Sequence, residues 1–401
     1  MLALASVLVM ASCNDRDNAG QIDDRLQPKP TEVCISGTIK GQLQMDYDGQ
    51  VDGVDCYGML IPSFTPKDMM NAGFEYTDLL DVQIGKVHLD SVPFVTGFNE
   101  VGVLETCFCD YNATNTMYGF GLLHGNFKER IGGNVGEPIT ITLCKRHGYA
   151  DTYEIMHSVY DTIYAKYGND TVFANFREVR TTGMKPGTLY RSSNPLNNSS
   201  NAVRYAYADR LARDRGIRTE IDLADTDAAI EGYMASPGFA STYCPELYRT
   251  GHVIALGLTA DTYSETFKHK LAAGLRFMVD GEAPYLVHCN EGKDRCGFVT
   301  MLLEAFAGAT YQELAADYMQ TLTNFYFVQP GSNSYNVRQR LSVDRLVWLL
   351  QNEQAVDDFT HIDWAHADPT DVNPQEAAHQ YILQCGLSEE ECQQLYDKLT
   401  K

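Results

Sequence analysis

A cysteine and an arginine that could act on a phosphate ester are separated by five residues in the run CNEGKDR, from Cys289 to Arg295. A cysteine thiolate is a soft nucleophile, and the planar guanidinium of arginine binds two oxygens of an oxyanion at once. In this arrangement Cys289 would attack phosphorus and carry the phosphoryl group, while Arg295 would hold the equatorial oxygens. The pair therefore predicts covalent hydrolysis of a phosphate monoester through a phosphocysteine.

The segments on either side predict how these two residues are positioned. Residues 284–288 read as a short buried strand, and residues 298–306 read as a helix that ends at Gly308. The loop would open onto a helix N-terminus, where backbone N–H groups and the helix dipole bind anions and favour a thiolate. Six loop residues are predicted to bind phosphate: Asn290, Glu291, Gly292, Lys293, Asp294 and Arg295.

The run HCNEGKDRCG, residues 288–297, resembles the HCxxGKDRTG loop of the bacterial tyrosine and lipid phosphatases. Residues 175–179 are similar to that family's NFRDVGG motif, residues 186–193 to its GxLYRS strand, and residues 216–223 to its GIRTVIDLR strand. Residues 381–391 are similar to its closing helices. The resemblance implies an α/β cysteine-phosphatase fold, with a central sheet flanked by helices, that works without a metal or another cofactor.

Four positions depart from the family pattern. Arg180 and Thr181 replace the two glycines after NFRDV, and Ala224 replaces the arginine of DLR. Cys296 replaces the hydroxyl residue that follows the loop arginine. Because S–H is a weaker hydrogen-bond donor than O–H, we expect Cys296 to stabilise the leaving thiolate less and to slow breakdown of the phosphoenzyme.

The general acid is open between two carboxyl groups. The resemblance implies that Asp294, inside the loop, can protonate the leaving oxygen and then act as a base; the alternative is a structural carboxylate bonded to loop amides. Asp222, at the C-terminal end of a predicted strand, is the second candidate. His288 is expected to orient the loop rather than to donate the proton.

Three functions remain open at this point. A protein-tyrosine phosphatase is favoured, because the resemblance supports it most directly. A phosphoinositide or inositol-phosphate phosphatase is second, because Lys293 adds a charge that a polyphosphorylated ring could use. A non-catalytic phosphate-binding module is third, and the complete set of Cys289, Asp294 and Arg295 argues against it.

The first residues predict where the protein resides. Residues 1–13 read as a lipoprotein signal, in which a short apolar stretch and small residues precede Cys13 as the lipidated residue. Residues 14–31 are polar and are expected to form a tether. We therefore expect an exported lipoprotein of the cell envelope that touches the membrane only through its anchor. The alternative is a cleaved secretory or merely apolar N-terminus with an incidental Cys13.

The 401 residues predict two domains: an all-β barrel or sandwich over residues 32–148 and the α/β domain over residues 149–401. Strands are predicted over residues 34–40, 82–89 and 138–144. Residues 54–61 and 136–141 resemble the C-terminal β-barrel of S-adenosylmethionine hydroxide adenosyltransferases. That resemblance implies a binding or positioning role and no adenosyl chemistry, since that family's catalytic domain has no counterpart here.

Helical periodicity and capping signals predict the helices of the second domain. A connector helix is expected over residues 151–167, and further helices over residues 202–215, 262–280 and 335–351. Thr310 and Ser388 each begin a capping-box sequence.

Composition excludes several classes of partner. The net charge is −22, from 53 acidic and 31 basic residues, so nucleic acid and anionic lipid surfaces are repelled at long range.

The N-terminal cysteines lack paired Cys-x2-Cys spacing, so core thiols or disulfides are favoured over a metal cluster; they are Cys34, Cys56, Cys107, Cys109 and Cys144. Four aromatic residues are either core or the lining of a phosphotyrosine slot: Tyr318, Phe325, Tyr326 and Phe327.

Overall fold

The computed structural model of the chain describes residues 33–42, 58–157, 160–199 and 203–401. The predicted signal and tether, with Cys13, lie outside these residues, as does Cys56. Two compact units divide the described chain: one contains the residues up to His157 together with Asp358–Thr360, and the other contains the rest. In the described part, no helix combines the length and the apolar character needed to cross a membrane.

Seven strands of the N-terminal unit close into a barrel, in the order β1-β2-β6-β5-β4-β3-β7. They are β1 (Cys34–Gln42), β2 (Leu60–Pro62), β3 (Leu79–Ile84), β4 (Val87–Val95), β5 (Thr106–Asp110), β6 (Tyr118–Leu122) and β7 (Pro138–Lys145). Along β3 the buried side chains are Leu80, Val82 and Ile84, the period-two pattern of a strand with one face in the core. The small all-β domain expected from the sequence is confirmed.

The single strand predicted over residues 82–89 is wrong, because the chain reverses direction within it. Ile84 pairs with Val87 across a turn at Gly85 and Lys86, so the segment is the β3–β4 hairpin. Gly85 has φ +54°, a conformation that glycine adopts without steric cost, and Gln83 Nε2 donates to the carbonyls of Gly85 and Val87. The alternating pattern continues through the turn and conceals it.

The described barrel cysteines are free thiols. Cys107 and Cys109 are fully buried, and burial raises the pKa of each thiol well above its usual value. Cys34 is half-buried and Cys144 is exposed. Among these four cysteines the core-thiol interpretation therefore holds for Cys107 and Cys109, and no disulfide joins any of them.

Three helices lie in the described part of the N-terminal unit: α1 (Pro66–Asn71), α2 (Phe127–Arg130) and α3 (Ala150–Met156). The connector helix predicted over residues 151–167 is wrong beyond Met156, and only a 3₁₀ turn, Tyr164–Lys166, follows among the described residues. Asp161 Oδ1 accepts a hydrogen bond from Ile163 N at 2.7 Å. Such a local side-chain acceptor offers the backbone an alternative to the helix.

The C-terminal unit is built on a five-stranded sheet with the order β11-β10-β12-β9-β8. The strands are β8 (Arg177–Glu178), β9 (Leu189–Ser193), β10 (Thr219–Asp222), β11 (Val253–Ala255) and β12 (Tyr285–Cys289). All neighbours are parallel except β8, which pairs antiparallel with β9. Every residue of the central strand β12 is buried, as expected for a parallel strand covered on both faces.

Eleven helices accompany this sheet among the described residues. They are α4 (Asp170–Phe173), α5 (Arg204–Asp214), α6 (Asp227–Ala235), α7 (Tyr243–Arg249), α8 (Glu265–Asp280), α9 (Asp294–Ala307), α10 (Tyr311–Tyr326), α11 (Asn333–Gln339), α12 (Arg345–Asn352), α13 (Pro374–Gln384) and α14 (Glu389–Thr400). The helices α5, α7, α8 and α9 pack on the strands, so the predicted α/β fold is confirmed.

Apart from the connector helix, the predicted helix positions agree with the structure except in one place. The capping boxes at Thr310 and Ser388 are both formed. The helix predicted over residues 335–351 is interrupted by a π-helical turn, Arg340–Asp344, between α11 and α12. Periodicity alone does not reveal this turn, because one extra residue shifts the apolar pattern by less than a third of a turn.

Candidate active site

Cys289 is the last residue of β12 and stands at the C-terminal edge of the parallel sheet. It pairs in register with Ser193 of β9, and the preceding His288 pairs with Asp222 of β10. Only 3% of Cys289 is exposed. The sheet thus fixes the nucleophile candidate from both sides, where α/β sheets usually place their ligand sites.

The carbonyl groups of the loop are held from behind by donors on other segments. Asn290 O accepts from Asn194 N at 3.2 Å, and Glu291 O accepts from Asn175 Nδ2 at 3.2 Å. Gly292 O accepts from Arg191 Nη2 at 2.9 Å. In a trans peptide the C=O and the next N–H point in opposite directions. The N–H groups of residues 291–293 therefore point away from these donors, into the concave side of the loop.

A buried group of charges lies behind the loop and holds the donors. Arg177 Nε donates to Asp317 Oδ1 at 2.8 Å, and Arg191 Nη1 donates to Asp317 Oδ2 at 2.5 Å. Arg177 Nη1 donates to Asn175 Oδ1 at 2.8 Å. Burial by itself raises the pKa of Asp317, but the two guanidinium groups outweigh it and the net pKa lies well below the usual range. Asp317 is thus a carboxylate that orders both arginines.

Gly292 is required by the close approach of the loop to β9. Its φ is +71°, and a Cβ at this position would lie 2.4 Å from Ser192 O and 3.0 Å from Asn175 Nδ2. Any other residue would be strained by its backbone and would clash with the sheet.

The N-terminus of α9 follows the loop directly in the chain. Its N-cap is Lys293, and no side chain caps it, so the first N–H groups of the helix are available to an anion. Arg295 lies in the first turn, is 8% exposed, and donates Nη1 to Leu258 O at 2.9 Å. The carbonyl of Leu258 thus fixes the orientation of the guanidinium at the start of the helix.

Cys296 is turned back toward the strand that carries Cys289. Its Sγ donates to Val287 O at 3.3 Å, and the residue is fully buried. Burial raises the pKa of Cys296 to about 12, against the opposing effect of the Arg191 guanidinium. Cys296 is therefore a neutral thiol close to the candidate nucleophile.

His288 and Asp222 form a buried network beside the loop. His288 Nε2 lies 2.9 Å from Glu220 Oε1, and Asp222 Oδ1 accepts from the backbone N–H groups of Ala224 and Asp225 at 2.9 and 3.1 Å. Burial lowers the pKa of His288, but Asp222 and Glu220 outweigh it and the net shift is upward. Both His288 and Asp222 are fully buried, which places them as supports of the β10 and β12 ends rather than at the surface of the site.

Asp225 is a residue that the sequence interpretation missed. It is 2% exposed, its Oδ2 accepts from Asn194 Nδ2 at 2.7 Å, and its Oδ1 accepts from Tyr233 Oη at 3.2 Å. Burial, and then the charge of Asp222, raise the pKa of Asp225 to about 8. Asn194 is the residue whose N–H holds the Asn290 carbonyl, so Asp225 reaches the loop through one partner. The signal available in the sequence was a second aspartate three residues after Asp222.

Asp294, Lys293 and Glu291 form the rim of the loop. Lys293 Nζ lies 3.5 Å from Asp294 Oδ2 and 4.0 Å from Glu291 Oε2. The Asp294 side chain is 42% exposed, the most accessible of the three. A carboxyl group at the first position of α9 with this exposure can exchange protons with a bound ester or with water.

The four aromatic residues considered as core or as a phosphotyrosine slot differ in where they lie. Tyr318 and Phe325 are buried, at 3% and 1% exposure, so the core interpretation applies to them. Tyr326 Oη donates to Glu291 Oε2 at 2.5 Å and therefore reaches the loop itself. Phe327 is 40% exposed and lies against Tyr167, with 4.8 Å between ring centres.

A family model described as the tyrosine phosphatase family matches residues 171–401, more than half of the chain. No curated protein matches the chain. The matched residues contain the loop, the five-stranded sheet and the buried charges behind the loop.

Proposed function

The chain belongs to the tyrosine phosphatase family and is a phosphatase, and on that premise we propose that it hydrolyses phosphotyrosine through a phosphocysteine formed on Cys289. The observation that carries this proposal is the loop from Cys289 to Arg295. Its carbonyls are bound from behind, which leaves its amides and the start of α9 to receive a phosphoryl group.

In the first step the Cys289 thiolate attacks phosphorus, the S–P bond forms, and the bond from phosphorus to the phenolic oxygen breaks. Arg295 and the loop amides stabilise the negative charge on the equatorial oxygens. These donors are already in position, so they need not rearrange during the reaction. Asp294 gives its proton to the departing oxygen. In the second step water attacks phosphorus, its proton passes to the Asp294 carboxylate, and the S–P bond breaks to release inorganic phosphate.

The test of the proposed function is Cys289→Ser. We expect phosphate release from a phosphotyrosyl peptide to disappear, because a serine hydroxyl is not ionised near neutral pH. Binding of inorganic tungstate, an oxyanion that needs no bond to sulfur, should survive, since the amides and Arg295 are unchanged. Turnover retained by the variant would rule out the covalent mechanism, and loss of tungstate binding together with turnover would indicate a collapsed loop.

We also propose that the protein is a lipoprotein of the cell envelope, anchored through Cys13. The support is the order of residues 1–13, in which an apolar stretch is followed by small residues and a cysteine. Metabolic labelling with a fatty acid tests it. The wild-type chain should be labelled and should fractionate with membranes, and Cys13→Ser should lose both properties. Equal labelling of the two chains would contradict the proposal.

A further inference from the structure

Lys293 is a cation at the rim of the loop, and neighbouring groups already interact with its ammonium. Its Nζ lies 3.5 Å from Asp294 Oδ2, 4.0 Å from Glu291 Oε2 and 5.4 Å from the centre of the Tyr326 ring. Only 14% of the side chain is exposed. Burial lowers the pKa of Lys293, but its neighbours outweigh burial and the net pKa lies well above the usual value. The ammonium is therefore charged, and its charge is used within the protein.

Tyr326 fixes Glu291 next to that ammonium. Its Oη donates to Glu291 Oε2 at 2.5 Å, which is the same oxygen that faces Lys293. Burial raises the pKa of Tyr326 well above its usual value, so the phenol keeps the proton that it donates. The Glu291 side chain, 31% exposed, thus presents a fixed negative charge at the rim.

From this geometry we propose that Glu291 is a specificity-determining residue, which neutralises Lys293 and restricts the site to monoesters whose leaving group bears no further phosphate. An inositol polyphosphate needs a free cation for each phosphate next to the reacting one. Here such a phosphate would meet a lysine that is already paired and the carboxylate of Glu291. Phosphotyrosine has no second phosphate and avoids this repulsion. The inference rests on the proposed function and narrows its substrate class.

A second cation near the rim does not replace Lys293. Arg338, on α11, interacts electrostatically with Tyr326, but it is 7% exposed and its Nε donates to Ser334 Oγ at 3.2 Å on the same helix. A guanidinium so deeply buried offers little surface to a phosphate on a substrate.

The experiment compares kcat/KM for inositol 1,4,5-trisphosphate with kcat/KM for a phosphotyrosyl peptide. In wild type the peptide should be favoured. In Glu291→Gln, which keeps the shape and removes the charge, the trisphosphate-to-peptide ratio should rise roughly tenfold, because the repelling carboxylate is gone and the Lys293 ammonium loses one of its anionic partners. In the double variant Glu291→Gln with Lys293→Met the ratio should return toward wild type, because no ammonium is left to be used.

Two controls separate charge from general disturbance. Tyr326→Phe removes the hydroxyl and keeps the carboxylate, so the ratio should change much less than in Glu291→Gln. Glu282→Gln, at the opposite end of β12 and 73% exposed, should leave both rates unchanged. An unchanged ratio in Glu291→Gln, or an equal rise in Tyr326→Phe, would overturn the charge mechanism. A wild-type enzyme that releases no phosphate from the peptide would overturn the proposed function instead.

Discussion

Asp225 is the residue near the loop whose ionisation should be visible in the whole protein. Its pKa is raised from the ordinary value of 3.8 to about 8 by burial and by Asp222. Between these values the folded state keeps a proton that the unfolded state has lost. The free energy of unfolding should therefore fall as the pH rises from about 4 to about 8, by up to about 1.4 kcal/mol per pH unit.

Asp225→Asn should remove this contribution, because an amide does not titrate. Urea unfolding at several pH values measures it: the curve of the variant should be flatter than that of wild type over this window. Asp214→Asn, an exposed carboxylate 3.2 Å from Arg213, is the matched control and should follow wild type. Parallel curves for Asp225→Asn and wild type would show that Asp225 is ionised in the fold.

The substitution Asp294→Asn tests whether Asp294 is the general acid. The rate should fall about 100-fold or more for an alkyl phosphate, whose alkoxide must be protonated as it leaves. The loss should be only a few-fold for nitrophenyl phosphate, whose leaving group is stable as an anion. Equal losses on both substrates would remove Asp294 from the role of acid.

Single residues were predictable where they stand together in the chain. The run from Cys289 to Arg295 carries its chemistry in consecutive positions, so spacing and residue type were sufficient to find it. Asn194, Asp225 and Leu258 come from three other segments that only the parallel sheet brings to the loop. No local pattern marks a carbonyl such as that of Leu258 as the partner of Arg295.

At the scale of elements, the turn from β12 into α9 depends on Gly292. Gly292→Ala should lower kcat/KM at least about 100-fold, because the new Cβ meets Ser192 O at 2.4 Å and must displace the loop. Gly187→Ala is a matched control with φ +76° and nothing within 4 Å of the new Cβ. Both variants bear the left-handed backbone cost of about 1 kcal/mol, and only the first should lose activity. Comparable activity in the two would contradict the proposed contact.

The strand and the helix that were predicted wrongly from the sequence have one physical cause in common: a local interaction competes with a regular pattern of residues. The alternation of residues 82–89 passes unbroken through the turn at Gly85. The apolar spacing after residue 151 continues past Met156, where the helix has ended. The helices with capping boxes at Thr310 and Ser388 were placed well, since the cap is itself a local signal.

At the scale of the whole molecule, the net charge of −22 should govern which peptides reach the site. An acidic phosphotyrosyl peptide is repelled at low salt, and kcat/KM should rise as ionic strength goes from about 10 mM to about 150 mM and the Debye length shrinks to about 8 Å. A peptide with basic residues around the same phosphotyrosine should show the opposite trend. If kcat/KM changed in the same direction with salt for both peptides, the local charge of the loop, and not the net charge of the protein, would determine how the peptides are captured.

The division into a barrel and an α/β unit followed from a change of pattern along the chain, from short alternating strands to alternating strands and helices. The resemblance of the barrel to the adenosyltransferase domain stays a prediction. Part of the stretch that carries it, residues 54–57, lies outside the described residues.

The loop has its carbonyls bound from behind and its amides turned outward, and this asymmetry has a consequence for hydrogen exchange. Without ligand, the amide hydrogens of residues 291–293 should exchange with solvent deuterium quickly, although β12 and α9 on either side are deeply buried. A tetrahedral oxyanion would protect those amides at once and leave their neighbours unchanged. Binding of the oxyanion would therefore be recognised by slower deuterium exchange at these three amides alone, because the amides of β12 and α9 on either side exchange slowly with or without ligand.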